Sequence, residues 1–205
     1  PAQFSRFLIG ALLAAVVVSA ILLLVLWREG GSRREVGRMG AAVVYFMFLG
    51  SGFMLVETAL IQKLVLYLGY PVLTLSTLLF AVLISGSLGS LFTQRFGAIA
   101  LPRVVMAAAA GVVVYGIISM YLYPAVISAT LSYGIVWRAL ITIVMLFPLG
   151  FCMGVPFPVG LRVAGEWSTH AVPWLWGVNG LMSVVGSVAA MSLAKLWGFS
   201  HVLMV

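Results

Sequence analysis

The most restrictive feature of this sequence is the length of its uncharged, apolar stretches. Residues 7–27 form 21 consecutive positions without a charged side chain, and a helix needs about 20 such residues to cross a bilayer. Over all 205 residues 64% are hydrophobic and 7% are charged, whereas about 25% are charged in an ordinary soluble domain. Because so few polar groups cannot cover a water-exposed surface, we predict an all-α, polytopic transmembrane helix bundle.

Six spans and the start of a seventh are predicted from these stretches. They are expected at residues 7–27, 40–68, 71–94, 104–123, 133–161, 173–196 and 198–205. The fifth span is expected to be broken by Pro148, Pro156 and Pro158, because proline lacks a backbone donor and clashes with the preceding turn. The break has two interpretations: a substrate or ion site, or a helix end near the membrane interface. Since the chain starts with Pro1, we expect a piece of a longer polypeptide.

The positive charges predict the orientation in the membrane. The net charge is +7, and loops on the cytoplasmic side are enriched in arginine and lysine. Seven arginines fall in loops on one side of the predicted bundle: Arg28, Arg33, Arg34, Arg38, Arg95, Arg103 and Arg162. We therefore predict a cytoplasmic arginine loop at residues 28–39 and an N-terminus outside. Scattered between apolar runs, these cations indicate contact with anionic lipids and not with nucleic acid.

The residue inventory excludes several kinds of site. The sequence contains no Asp and one cysteine, Cys152, which excludes Asp-based metal loops and a disulfide framework. Two separate histidines, His170 and His201, do not form a metal site. We expect no metal and no cofactor in this chain, and we do not favour either histidine as a pigment ligand.

Small residues at helical spacing predict where the helices pack, because close approach of backbones drives association in lipid. We expect tight packing of the third, fifth and sixth spans. The residues that indicate it are Ser85, Gly86, Gly89, Gly150, Gly154, Gly177, Gly180 and Gly186.

Glu57 is the acidic residue predicted to lie inside the hydrocarbon region. It follows Gly40 by 17 positions, which is about 25 Å along a helix. It could be protonated, paired with Arg138 or Lys63, or hydrogen-bonded to Asn179, and we favour Arg138 or Asn179. Two roles stay open: a structural clamp between helices, or a proton or substrate site.

Two long stretches of the chain resemble a known family. The first, starting at Tyr45, contains YFMFLGSGFMLVETALIQK, LYLGYP and LISGSLGS; the second, starting at Pro148, contains PLGFCMGVPFPVGLR, VPWLWGVNG and SVVGS. Both are similar to the C-terminal transmembrane region of the bacterial membrane-bound spermidine-synthase-like proteins. In that family transmembrane helices accompany a cytoplasmic Rossmann-type domain of the kind found in aminopropyltransferases and S-adenosylmethionine-dependent methyltransferases.

The resemblance implies positions of interest and two departures. The family pattern places an acidic residue at Glu57, a glutamine at Gln62 and an asparagine at Asn179. Lys63 stands where the family often has arginine, and Tyr70 stands where it usually has histidine. The family also implies multi-pass insertion in the bacterial cytoplasmic membrane.

We expect no enzymatic activity from this chain alone. No Gly-x-Gly-x-x-Gly pattern with a following acidic residue is present, so an S-adenosyl-type cofactor is expected only if a soluble domain accompanies the chain. Our first hypothesis is a non-catalytic module that anchors such a domain or serves as an accessory or scaffold subunit beside other membrane subunits. The alternative is a small transporter or conduit with a midplane polar site at Glu57 and Asn179.

Overall fold

The computed structural model of the chain describes residues 33–97 and 100–196. All regular secondary structure in these residues is helical, which confirms the all-α fold class. The described helices are α1 (Arg33–Leu68), α2 (Pro71–Thr93), α3 (Leu101–Thr130), α4 (Ile135–Met153), α5 (Pro156–Trp167) and α6 (Ala171–Leu196). The predicted span at residues 7–27 and the start of a span at 198–205 lie outside the described residues.

Five segments of the described chain are long and apolar enough to cross a membrane. They are Gly37–Leu68, Pro71–Thr93, Leu101–Ser119, Ile135–Trp167 and Ala171–Ser192. Many large apolar side chains point outward from these segments; Phe48 and Val72, for example, are 75% and 78% exposed. Lipid tails are as apolar as such side chains, so both observations support a multi-pass membrane protein.

The turn between α1 and α2 follows directly from its residues. Gly69 has a φ of 79°, a left-handed conformation that glycine adopts without a steric penalty. Tyr70 is extended, as the residue before a proline prefers to be. Pro71 is the first residue of α2, a position where the missing backbone donor costs nothing.

The three prolines of the predicted fifth span differ in their positions. Pro148 lies inside α4, which continues to Met153, so the expected interruption at this residue is wrong. Proline is tolerated within membrane helices when neighbouring groups satisfy the freed carbonyl. Pro156 is the first residue of α5 and Pro158 the third; a first turn accepts proline because its backbone donors have no intrahelical partner.

Several helices are longer than predicted. Residues 33–39 belong to α1, so the predicted polar loop at 28–39 is wrong for those positions. Helix α3 continues through Pro124 to Thr130. Helix α5 covers residues 162–167, which lie between the predicted spans 133–161 and 173–196. Arginine, glutamate, methionine and leucine are good helix formers, so a charged residue does not by itself end a helix where the apolar stretch ends.

The described residues form two compact units. Unit 1 contains residues 33–58 and 160–196, and unit 2 contains 59–97 and 100–159. In unit 1, α5 lies close to α1 where Gly160 meets the rings of Tyr45 and Phe46. Those two rings form an edge-to-face pair with centroids 5.2 Å apart. In unit 2, α4 packs along α2 and against α3, around fully buried leucines such as Leu78, Leu101 and Leu146.

Candidate functional site

Glu57 is buried within unit 1. Its side chain is 7% exposed, and it forms no hydrogen bond or ion pair with any other described residue. Glu57 follows Gly50 by seven residues, which is a rotation of about 20° around a helix and a rise of about 10 Å. The carboxyl group therefore lies on the same face of α1 as Gly50.

That face of α1 packs against α6. A Cβ atom added to Gly50 would lie 3.1 Å from Oδ1 of Asn179 and would overlap the Asn179 carbonyl oxygen. A Cβ atom added to Gly186 would lie 2.6 Å from the carbonyl oxygen of Ser51. We call this contact, formed by Gly50, Ser51, Asn179 and Gly186, the α1–α6 seam. It brings backbone directly against backbone.

Asn179 leaves one polar atom of the α1–α6 seam without a partner. Its Oδ1 atom is buried and accepts no hydrogen bond. The hydroxyl groups of Ser51 and of the neighbouring Ser183, in contrast, bond to their own helices: Ser51 donates to the Met47 carbonyl at 2.8 Å and Ser183 to the Asn179 carbonyl at 2.9 Å. Glu57 thus lies on the face of α1 that carries Gly50, and the predicted hydrogen bond between Glu57 and Asn179 is not formed.

The chemistry open to this arrangement is narrow. A buried carboxyl group can exchange a proton. A buried amide oxygen can accept hydrogen bonds from a guest group. In the described part of the chain, no group of three or more His, Cys, Asp or Glu side chains could hold a metal ion. His170 is exposed in the connection between α5 and α6, and His201 lies outside the described residues.

Arg138 binds the end of α1. Its Nη1 atom donates to the Tyr67 carbonyl oxygen at 2.7 Å, and its guanidinium lies 5.7 Å from the centre of the Tyr67 ring. Tyr67 is the penultimate residue of α1, where carbonyl groups have no intrahelical donor. Arg138 therefore serves as a cap for α1 within unit 2, and the ion pair between Glu57 and Arg138 stays a prediction.

Around Arg138 lies a set of polar side chains that the sequence analysis did not bring together. The Tyr67 hydroxyl is hydrogen-bonded to Thr130 Oγ1 at 2.6 Å, and Lys63 Nζ lies 5.9 Å from the centre of the Tyr123 ring. We call Lys63, Tyr67, Tyr123, Thr130 and Arg138 the Arg138 cluster. The spacing of Lys63 and Tyr67, four residues apart on one helix face, was a signal available in the sequence. Gln62, the neighbouring candidate, is half-buried.

The small residues of the predicted third and fifth spans lie at one contact in unit 2. Gly150 packs against the Ser85 side chain, Gly154 packs against Gly86, and Gly89 meets the backbone of Phe151. The Ser85 hydroxyl donates to the Ala81 carbonyl at 2.6 Å. We call this contact, formed by Ser85, Gly86, Gly89, Gly150 and Gly154, the α2–α4 seam.

Two glycines of the predicted sixth span do not mark a contact. Gly177 and Gly180 are exposed, and a Cβ atom added to either would have no atom within 4 Å. At 100° per residue they lie about 200° and 100° around α6 from Asn179. Among the described residues no side chain or backbone packs against these two positions, which face away from the α1–α6 seam, whereas Gly186 lies in it. Close packing at Gly177 and Gly180 stays a prediction.

The predicted basic residues divide between described and undescribed positions. Arg38 is exposed in the first turns of α1. Arg33 and Arg34 belong to the same helix, and Arg28 lies outside the described residues.

A cavity of about 510 Å³ in unit 2 is lined by residues other than the predicted site residues. Its walls are apolar, with Phe92, Phe96 and Phe151 among them, and the lone cysteine Cys152 also faces it. Arg103 is the charged residue among the lining side chains.

Comparison of the chain with models of protein families, with curated proteins and with solved structures found no match.

Proposed function

We propose that this chain is a non-catalytic membrane module that anchors a spermidine-synthase-like cytoplasmic domain or serves as an accessory subunit of a larger membrane complex. The observation that carries the proposal is that the helices pack closely at glycine. In both seams the space between helices is filled by backbone against backbone at glycine, an arrangement whose product is close helix packing. The resemblance in the two long sequence stretches supplies the class of partner domain.

The proposal includes an orientation in a bacterial cytoplasmic membrane. Residues 28–39 would face the cytoplasm, where an attached or separate domain would dock, and anionic headgroups would contact Arg28, Arg33, Arg34 and Arg38. The fifth predicted span would then end near that interface at the α4–α5 junction. This assigns the junction at Pro156 a structural role in ending one helix and starting the next.

The orientation can be tested by cysteine labelling, because the chain has a single cysteine that can be replaced. In a Cys152→Ser background, Arg38→Cys and Ser132→Cys place one thiol at each proposed side. A membrane-impermeant maleimide should label Arg38→Cys only in inverted vesicles and Ser132→Cys only in right-side-out vesicles. The opposite pattern would overturn the proposed topology, and labelling of Cys152→Ser alone serves as the background control.

The anchoring role is tested on the natural polypeptide purified from its own membranes in mild detergent. We expect an intact mass tens of kDa above the 21.9 kDa of these residues, or a partner chain at fixed stoichiometry, together with binding of S-adenosylmethionine or its decarboxylated form. A lone 21.9 kDa chain without cofactor binding would contradict the anchoring role.

A conduit is the second candidate, favoured by Glu57 and the Asn179 Oδ1 atom, which are buried without partners. It would carry protons or an organic cation along the α1–α6 seam. In proteoliposomes containing a pH-sensitive dye, the conduit requires proton or spermidine flux above protein-free vesicles. That flux should vanish in Glu57→Gln and persist in Glu166→Gln, which makes the same change at an exposed residue. The anchoring role predicts no flux in any of the three proteins.

A further inference from the structure

The Arg138 cluster contains two positive charges with few partners. Arg138 donates one hydrogen bond, to the Tyr67 carbonyl, while its Nε atom is buried and has no acceptor. Lys63 has a ring contact with Tyr123. Both side chains are half-buried. Contacts with aromatic faces contribute less to stabilising a desolvated cation than an anionic partner does.

Unit 2 cannot supply that anionic partner. Residues 59–159 contain Lys63, Arg95, Arg103 and Arg138 but no Asp or Glu. A half-buried cation without a counter-charge is costly because it has lost part of its hydration. The counter-charge for the Arg138 cluster must therefore come from outside unit 2.

The position of the cluster in the helices indicates the source. Tyr67 is one residue from the end of α1, and Arg138 is three residues after the start of α4. Exposed aromatic side chains flank the same helix ends: Tyr70, Tyr133 and Trp137 are 66%, 52% and 64% exposed. Tyrosine and tryptophan concentrate at the level of lipid headgroups. The cluster thus lies where the phosphate groups of lipids are abundant.

We propose that the Arg138 cluster binds the phosphate group of an anionic membrane lipid. Lys63 and Tyr67 lie on one face of α1, and Arg138 is held against Tyr67 from α4, so both cations border one patch. A guanidinium presents parallel N–H donors that match phosphate oxygens, and an ammonium adds a second point charge. The patch differs from the predicted arginine loop at 28–39, since it belongs to another unit and combines cations with tyrosine hydroxyls.

The test compares lipids on the full chain in detergent by native mass spectrometry. Phosphatidylglycerol should bind at one saturable site, and phosphatidylcholine should bind more weakly. Lys63→Gln removes one charge but no described hydrogen bond, and we expect phosphatidylglycerol affinity to fall about tenfold, as for loss of one charged contact. Arg95→Gln, which removes an exposed charge from the same unit, should keep wild-type affinity.

Two further measurements complete the test. One distinguishes a lipid ligand from free phosphate, and the other distinguishes loss of binding from loss of folding. Inorganic phosphate at millimolar concentration should not displace the lipid; displacement would show that free phosphate is the ligand and would overturn the lipid assignment. Arg138→Lys keeps the charge if Arg138→Gln fails to fold, and it should bind more weakly than wild type. Equal phosphatidylglycerol affinity in wild type, Lys63→Gln and Arg138→Lys would refute the site.

Discussion

The α2–α4 seam and the α1–α6 seam use the same packing device with different polar contents. Each brings two helices so close that a Cβ atom added to a glycine would overlap backbone of the other helix. In the α2–α4 seam the one hydroxyl, that of Ser85, is satisfied by the Ala81 carbonyl. In the α1–α6 seam the Asn179 Oδ1 atom has no partner, and Glu57 lies buried along the same face.

The difference between the two seams shows that close helix packing does not require buried polar side chains. Glycine contact gives close approach whether or not polar groups are present. An unpartnered buried polar group costs free energy, so Asn179 lowers the stability of the α1–α6 seam. Glu57, further along the same face of α1, adds a second buried polar group. A function beyond packing is therefore to be sought at the α1–α6 seam, and substitutions can establish how far the two seams differ.

The largest effect is expected for Gly154→Ala in the α2–α4 seam. The new methyl group would lie 2.6 Å from the carbonyl carbon of Gly86, so the two helices must separate. We expect a loss of about 3 kcal/mol, the upper part of the usual range for overpacking, measured as the midpoint of unfolding in sodium dodecyl sulphate by circular dichroism. The control Gly116→Ala has open space around it and should gain up to about 1 kcal/mol.

A somewhat smaller loss is expected for Gly186→Ala in the α1–α6 seam. Its methyl group would lie 2.6 Å from the Ser51 carbonyl oxygen and 2.7 Å from the Ser51 Cα. We expect a loss of about 2 kcal/mol in the same unfolding experiment. Gly180→Ala, on the same helix but facing open space, should be neutral or stabilising. If both variants behave alike, the contact between α1 and α6 at Gly186 does not exist.

The sequence allowed prediction of helix class and of candidate packing residues but not of their partners. Gly150 and Gly154 face α2, as their spacing suggested, whereas Gly177 and Gly180 have the same chemistry and face open space. Periodicity fixes relative positions around one helix, but which neighbour covers a face depends on the whole packing. The partner of Arg138 is a carbonyl at the end of α1, and backbone acceptors leave no mark in the sequence.

Asn179→Leu tests whether the orphaned oxygen costs stability. Leucine has a similar size and removes the buried Oδ1 atom, and replacing an unsatisfied polar group by an apolar one is neutral or stabilising. We expect a gain of up to about 1 kcal/mol in the detergent unfolding midpoint, opposite in sign to Gly186→Ala in the same seam. A loss of stability would mean that Oδ1 has a hydrogen-bond donor. As a control, Ser183→Ala removes a bond within α6 and should have an effect under about 0.5 kcal/mol.

The smallest effect is expected for Glu57→Gln. Glutamine keeps the shape and the polarity of a neutral carboxyl group, and no described cation of unit 1 is paired with Glu57. We expect a change below about 0.5 kcal/mol in the unfolding midpoint, equal to that of exposed Glu166→Gln, because surface substitutions usually stay within this range. Loss of about 3 kcal/mol or more is the signature of a charge left without its buried partner. That result would show that Glu57 is ionised and paired, and it would make the α1–α6 seam an ion-pair interface instead of a packing contact with a neutral acid.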